Sequence, residues 1–387
     1  MDAIYDVSKA NGQMKLLTPG QFDVASVEAV DEKNNRLYFL ASMEHYAQRH
    51  LYTVDLQGEE AVERITPNEL SGWNHYRISP RFNYAIHSFQ NFQTPLKRNL
   101  IEFPGHKTVA ILLDNRPVLE RVKKLRRSEV EFFSIEIEQG VALEAWCIKP
   151  PDFSPNKKYP LVLTVYGMPA AQAVLDVWWG EPNLWYFLLS QMGYIVMSID
   201  NRGTPVLKGK AWRRTIYKED GILPADDQAR ALRKILEQRL YIDPERVGVY
   251  GWSGGGCLSL HMIFRYPELY KVAMAGAGPS HPKFNHLMVV EEYLGRPQDD
   301  PEVYEKTAPL TYAENLKGKL LIVHGLDDES VVFENTEALV EKLVTLGKQF
   351  TLMVYPNAGH FLHAIPPTSY HLHALYLDFL KQHLPVT

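Results

Sequence analysis

Short aromatic and β-branched runs separated by turns fill the first part of the chain, and they repeat. Ile4-Tyr-Asp-Val7 followed by Leu16-Leu-Thr-Pro19 recurs as Leu51-Tyr-Thr-Val54 followed by Arg64-Ile-Thr-Pro67. Tyr5 and Tyr52 are 47 residues apart and Thr18 and Thr66 are 48 apart, and Arg36 to Leu40 precedes Tyr84 to Phe89 by the same interval. Runs of this composition and length read as strands. Their recurrence at this period matches one four-stranded propeller blade. A closed ring takes at least ~4 blades, and residues 1–117 hold about two. The expectation is a partial all-β propeller-like domain with exposed strand edges, the alternative being a small β-sandwich of similar hairpins.

From residue 118 the texture changes. Leu119 to Leu125 reads as a connecting helix and Phe132 to Gln139 as an alternating strand. Apolar strands are then predicted at Leu161 to Gly167, Tyr194 to Asp200, Arg246 to Ser253, Val272 to Gly276, Lys319 to Gly325 and Phe350 to Tyr355. The unbroken apolar runs of Leu161 to Val165 and Leu320 to Val323 suit a parallel sheet covered on both faces. Between them, helices are predicted at Asp226 to Gln238, Gly255 to Arg265, Asn335 to Thr345 and Tyr370 to His383, where apolar residues such as Leu232, Ile235 and Leu236 fall at helical spacing. Strand and helix in alternation predict a doubly wound, mostly parallel sheet over residues 118–387.

Composition narrows the function. Among 387 residues, 41 Lys and Arg face 46 Asp and Glu, a net charge of −5. The basic residues are interleaved with acids except at Lys123 to Arg127, so nucleic acid is not an expected partner. No apolar stretch is long enough to span a bilayer, and the first residues carry no export signal. A cytoplasmic location is the expectation for the chain as written, and a periplasmic or secreted one if it is a piece of a longer precursor. Cys147 and Cys257 are too few for a disulfide framework and read as small buried hydrophobes.

The sharpest local signal is Val247 to Gly256, where a strand runs through Gly251-Trp252-Ser253-Gly254-Gly255 into a helix. A nucleophile on a tight strand-to-helix turn needs small residues two places before and two after it, because side chains there would collide. The helix start behind it favours developing negative charge. Such a serine requires an acid after a later strand and a histidine after the next. The predicted strand at Lys319 to Gly325 leads into Asp327-Asp328, and the one at Phe350 to Tyr355 leads into His360. His360 is the expected base, and spacing alone leaves Asp327 and Asp328 both open. His324 is assigned a structural role at the loop entry, and His363, His371 and His373 are assigned to packing or surface. The oxyanion donors are expected to be the Gly254 N–H and a group from the loop after the Leu161 strand, where Tyr166 stands.

These residues resemble the prolyl oligopeptidase superfamily of serine peptidases, in its dipeptidyl peptidase IV-like branch. The likeness runs from the propeller-like repeats through Val165-Tyr-Gly-x-Pro169, Asp200-Asn-Arg-Gly-Thr204, Asp226-Asp-Gln228, Gly251-Trp-Ser-Gly-Gly255, Glu292-Tyr-Leu-Gly295, His324-Gly-x-x-Asp328-x-x-Val331 and Gly359-His360. It implies an α/β-hydrolase catalytic domain over 118–387 behind a truncated propeller. It selects Asp328 as the acid and makes the Tyr166 hydroxyl an oxyanion donor. It implies peptide hydrolysis through an acyl-enzyme on Ser253, without metal or cofactor.

Three features depart from the family's pattern. Its amine-binding glutamates belong to an earlier blade than the turn holding Glu59-Glu60, so that clamp does not transfer. The two tyrosines that wall the proline pocket fall in register on Asn285 and Val289, and the asparagine after the catalytic acid falls on Ser330. Trp252, Asn285, Val289, Ser330 and Val331 are therefore the expected pocket residues, in a pocket changed from the family's. The leading expectation is a serine peptidase. The alternatives are an esterase or acylaminoacyl hydrolase on the same triad, or an impaired remnant acting as an interaction module. A peptide is the expected substrate and a homodimer the expected assembly.

Overall fold

The computed structural model describes residues 2–8 and 10–386, apart from the side chains of residues 287–289 and 363. The predicted pocket residue Val289 and the histidine His363 have side chains outside that description. The chain forms two compact units. One comprises Met1–Arg126 with Leu175–Leu184 and Val206–Trp212, and the other comprises Arg127–Val174, Trp185–Pro205 and Arg213–Thr387.

The first unit begins with the two-stranded hairpin β1 (Tyr5–Val7) and β2 (Met14–Leu16). Two antiparallel four-stranded meanders follow. The first contains β3 (Val24–Asp31), β4 (Arg36–Ala41), β5 (His50–Asp55) and β6 (Glu63–Arg64). The second contains β7 (Trp73–Ile78), β8 (Tyr84–Asn91), β9 (Thr94–Glu102) and β10 (Thr108–Leu113). The repeat seen in the sequence is therefore real: β1 matches β5 and β4 matches β8, one blade on. Because side chains alternate along a strand, β4 serves two cores. Leu37, Phe39 and Ala41 pack with Leu17, Tyr52 and Val54, while Tyr38 and Leu40 pack with Leu51, Tyr76, Ala85, Ile101 and Phe103. Sheets stacked through both faces are the propeller arrangement, and the sandwich alternative falls away. At the edge of the second meander, β10 exposes Val109, Ile111 and Leu112.

The second unit is built on one sheet of β11 (Val130–Glu138), β12 (Val141–Ile148), β13 (Tyr159–Thr164), β14 (Ile195–Asp200), β15 (Ile242–Trp252), β16 (Val272–Gly276), β17 (Lys319–Gly325) and β18 (Thr351–Tyr355). Their spatial order is β11-β12-β14-β13-β15-β16-β17-β18. The pairs β11/β12 and β12/β14 are antiparallel, and every pair from β14 to β18 is parallel. The α-helices among the described residues are α1 (Arg116–Lys123), α2 (Glu181–Gln191), α3 (Gly209–Arg214), α4 (Ile222–Gln238), α5 (Gly254–Arg265), α6 (Leu287–Leu294), α7 (Pro301–Lys306), α8 (Glu334–Thr345) and α9 (Pro366–His383).

The central strands are apolar throughout because both faces are covered. Leu161, Val162, Leu163, Ile195, Val196, Met197, Val247, Leu321 and Val323 are fully buried. Helix α5 is apolar on nearly all sides and buries Leu258, Leu260, Met262, Ile263 and Phe264. Strand order reverses at β13, whose neighbours are β14 on one side and β15 on the other. In open α/β sheets, ligands bind beyond the carboxyl ends of the strands at such a reversal. Tyr166 follows β13 and Ser253 follows β15 at that point.

Candidate active site

Ser253 is the N-cap of α5 and has φ 60° and ψ −120°. A non-glycine residue there is strained, and the strain holds its side chain out at the strand-to-helix corner. Its amide donates to Gly276 O at 2.9 Å, and its carbonyl accepts from the Cys257 amide at 3.0 Å. The flanking glycines are required by close backbone approach. A Cβ on Gly251 would stand 2.6 Å from Val165 O, and one on Gly255 would run into the same carbonyl. The Gly254 N–H lies in the first helical turn, where amides have no partner within the helix and point toward an incoming anion.

The acid and histidine arrive on neighbouring loops, beyond β17 and β18. Backbone bonds tie these loops together: Leu326 N donates to Tyr355 O and Asp327 N to Ala358 O, both at 3.1 Å. Asp327 is exposed and Asp328 buried. His360 Nδ1 donates to Asp328 Oδ2 at 2.8 Å, while the amides of Ser330 and Val331 donate to Oδ1 at 3.0 and 2.8 Å. Burial alone would raise the Asp328 pKa. The bonds from His324, His360 and the Val331 amide outweigh it and hold the carboxyl well below its usual range. The carboxylate thus stays ionised and sets the imidazole with Nε2 outward.

His324 is fully buried and braces this loop. Its Nε2 lies 2.8 Å from Val331 O and 3.3 Å from Asp328 Oδ2, and its Nδ1 lies 2.7 Å from the Thr336 hydroxyl. Trp252, expected in the pocket, is found behind the histidine instead. Its Nε1 donates to His360 O at 3.0 Å, and it does not line the cavity beside Ser253. Its neighbour Ser253 lines that cavity, while the indole covers Gly276, where a Cβ would run into its ring. No hydrogen bond joins Ser253 Oγ to His360 among the described residues, an openness common in sites without substrate.

A cavity of about 210 Å³ opens beside Ser253, lined by Tyr166, Asn285, Ser330 and Val331 among others. Burial, with Tyr293 and Asp220 nearby, raises the Tyr166 pKa, so its phenol stays protonated and able to donate. Asn201 Nδ2 donates to Gly167 O at 3.0 Å and fixes the loop that carries Tyr166. The other resemblance motifs prove to be braces. Asp200 accepts from the amides of Ala173 and Val174, and Arg202 forms a forked ion pair with fully buried Asp227. Of the cysteines, Cys147 is buried in β12 with its thiol pushed up to about 12 by burial, whereas Cys257 is part-exposed and lines the cavity. Sequence reasoning passed over Asp220, Cys257 and Met168 as lining residues. None of them carries a pattern signal, since only the fold turns them inward.

A sequence model of the prolyl oligopeptidase family matches residues 183–387, and one of the dipeptidyl peptidase IV N-terminal region matches residues 2–96. The chain is 30% identical over 385 residues to mouse dipeptidyl peptidase 8, covering 95% of this chain and 42% of the relative. It is 29% identical over 348 residues to dipeptidyl peptidase 4 of Trichophyton equinum, covering 89% and 44%. The crystal structure of Porphyromonas gingivalis dipeptidyl peptidase 4 superposes with a TM-score of 0.90 at 29% identity, over 99% of this chain and 53% of that one. The chain thus spans about half the length of the relatives it matches.

Proposed function

The chain belongs to the prolyl oligopeptidase family, and from that premise we propose that it is a dipeptidyl-peptidase-like serine peptidase working through an acyl-enzyme on Ser253. The observation that carries this reading is the 2.8 Å Asp328–His360 bond, on loops beyond the same sheet edge that presents Ser253 on its strained corner. In this reading His360 Nε2 takes the Ser253 proton as Oγ bonds to the peptide carbonyl carbon. The oxyanion that forms is met by the Gly254 N–H and the Tyr166 hydroxyl. As the C–N bond breaks, His360 returns the proton to the leaving amine. Water then repeats the sequence on the ester and frees Ser253. Asp328 holds the ring and stabilises the imidazolium.

The test is fluorophosphonate labelling, which reports an activated serine whatever the substrate. Stoichiometric labelling of the wild type, absent in Ser253→Ala and His360→Ala, is the expected result. A folded wild type that fails to label would sink the reading. Higher turnover of peptidyl p-nitroanilides than of p-nitrophenyl esters, relative to uncatalysed hydrolysis, is expected of a peptidase. A homodimer is also proposed, from the unpaired edge of β10, and light scattering at several concentrations tests it.

A further inference from the structure

The cavity beside Ser253 is mostly apolar, with Met168, Pro279, Pro282, Val290, Leu294 and Val331 in its walls. Among the described lining residues Asp220 is the one carboxylate, no lysine or arginine appears, and the one histidine, His286, has its Nε2 3.2 Å from Glu329 O. Asp220 immediately precedes Gly221, the N-cap of α4, where a positive φ of 72° turns the backbone. A Cβ on Gly221 would collide with the His261 ring of α5, so this turn is pressed onto the helix that follows Ser253. The direction of Asp220 is set by that packing.

Asp220 is poorly supplied with partners. Among the described residues its one hydrogen bond is from the adjacent Gly221 amide, 3.0 Å from Oδ1. The cations close to it in the chain and fold are engaged elsewhere: Lys218 Nζ donates to Asp300 Oδ2 at 2.7 Å, and Lys306 is paired with Glu219. Tyr166, Tyr293 and the Cys257 thiol feel the charge of Asp220 and none of them brings a positive charge, while burial keeps the adjoining His261 neutral. Burial accordingly pushes Asp220 up to about 6. A half-buried carboxylate with unused acceptor capacity in an apolar cavity is costly. A ligand that brings its own donors into that cavity would relieve the cost, and the cavity begins where the substrate carbonyl must sit.

We propose that this cavity takes the side chain of the residue whose carbonyl Ser253 attacks, and that this side chain is a long basic one, lysine or arginine, whose methylenes lie on the apolar wall and whose cation is held by Asp220. Gly254, Cys257 and Asn285 are among the lining residues, and the cavity of about 210 Å³ that they border is the space assigned to an unbranched chain. The cation lowers the cost of the carboxylate, and the carboxylate selects the cation. A site built to bond a polar substrate group discriminates strongly against analogues lacking it, because its own group is then left unpaired.

This inference rests on the peptidase reading, and its test separates the two. Dipeptidyl coumarylamides with a free amino end and glycine at the first position would differ only at the residue before the scissile bond: lysine, arginine, norleucine, alanine or proline. Every substrate then carries the same amino end, so any preference for charge belongs to the side chain. Wild type is expected to favour lysine or arginine over isosteric norleucine by at least about 10-fold in kcat/KM, and Asp220→Asn to reduce that ratio roughly 10- to 100-fold. Norleucine, alanine or proline turned over as well as lysine, or a ratio unmoved in Asp220→Asn, would overturn it.

Fluorophosphonate labelling of Asp220→Asn confirms an assembled site, with Asp220→Ser as a second variant should the first fail to fold. The second arm does not depend on turnover. Calorimetry on Ser253→Ala is expected to show N-acetyl-lysine amide binding at least about 10-fold tighter than N-acetyl-norleucine amide, and the Asp220→Asn change made in that background is expected to remove the difference. Equal binding overturns the proposal even if the enzyme is active. An inactive, unlabelled wild type with the lysine preference intact would instead sink the peptidase reading alone.

Discussion

Asp328 and Asp220 are acids of the same α/β unit in opposite surroundings. Asp328, in the loop after β17, collects donors from His360, Ser330 and Val331. Asp220, before α4, collects one backbone amide. Burial pushes both carboxyls toward the neutral form, so burial is not what separates them. The number of donors is, and it drives one pKa down and the other up to about 6. A saturated carboxylate is committed to its protein partner. An undersupplied one keeps capacity for something that arrives.

The comparison can be broken at several depths. Ser253→Ala is expected to lower peptidase turnover by about 10⁵- to 10⁶-fold while leaving lysine amide binding in place, which would show that binding at Asp220 needs no working nucleophile. Asp328→Asn, which removes the charge that fixes the imidazole, should reduce turnover by about 10⁴-fold for basic and neutral substrates alike. A loss confined to basic substrates would mean that the two acids share one task.

The pH dependence is subtler. The lysine-to-norleucine ratio of kcat/KM cancels the titration of the triad, and it should climb as pH rises through about 6 and then level off, as Asp220 ionises. A flat ratio would leave Asp220 outside recognition. Stability should show the smallest effect. The folded pKa of Asp220 lies above its ordinary value, so the stability it contributes is complete below about pH 4 and is lost as pH rises through about 6. Asp328 has the opposite sign, contributing above the ordinary carboxylate range and losing that contribution as pH falls through its depressed value. Asp220→Asn should therefore gain about 1–2 kcal/mol over wild type at pH 8 and almost nothing at pH 4, read from urea unfolding at the two pH values.

The unequal legibility of the two acids has a physical origin. Parallel strands covered on both faces must be apolar throughout, so β13 and β17 announced themselves, and residues at their ends could be counted off: Tyr166, Asp328 and, after β18, His360. The blade repeat was equally plain because β4 and β8 each need aromatic and branched residues on both faces. Helix α2 escaped detection, since Leu184, Trp185, Phe187 and Leu189 give it apolar residues on more than one side and no clear stripe. Trp252, expected in the pocket, turns its indole onto Gly276 and toward the His360 carbonyl where β15 ends, a direction that no local pattern encodes. Asp220 lies in Lys218-Glu-Asp220, a charged run that no motif singles out. Its burial comes from the packing of Gly221 on His261, a contact between segments forty residues apart that no local pattern encodes.

The corner that holds Ser253 is backbone packed on backbone. At Gly251, Gly255 and Gly256 the space a side chain would need is already filled by main-chain atoms of Val165, Gly255 and Gly276. Substitution has nothing to adjust there, since no neighbour can change its rotamer to make room. The cavity wall next to it is assembled from side chains borne on separate segments, each replaceable without moving the others. Heredity therefore meets two materials a few residues apart. Descendants of such a chain could exchange what they recognise one residue at a time while inheriting the cutting machinery whole, and a saturation library should divide along that line, nearly silent at residues 251, 255 and 256 and permissive at 220, 257 and 285.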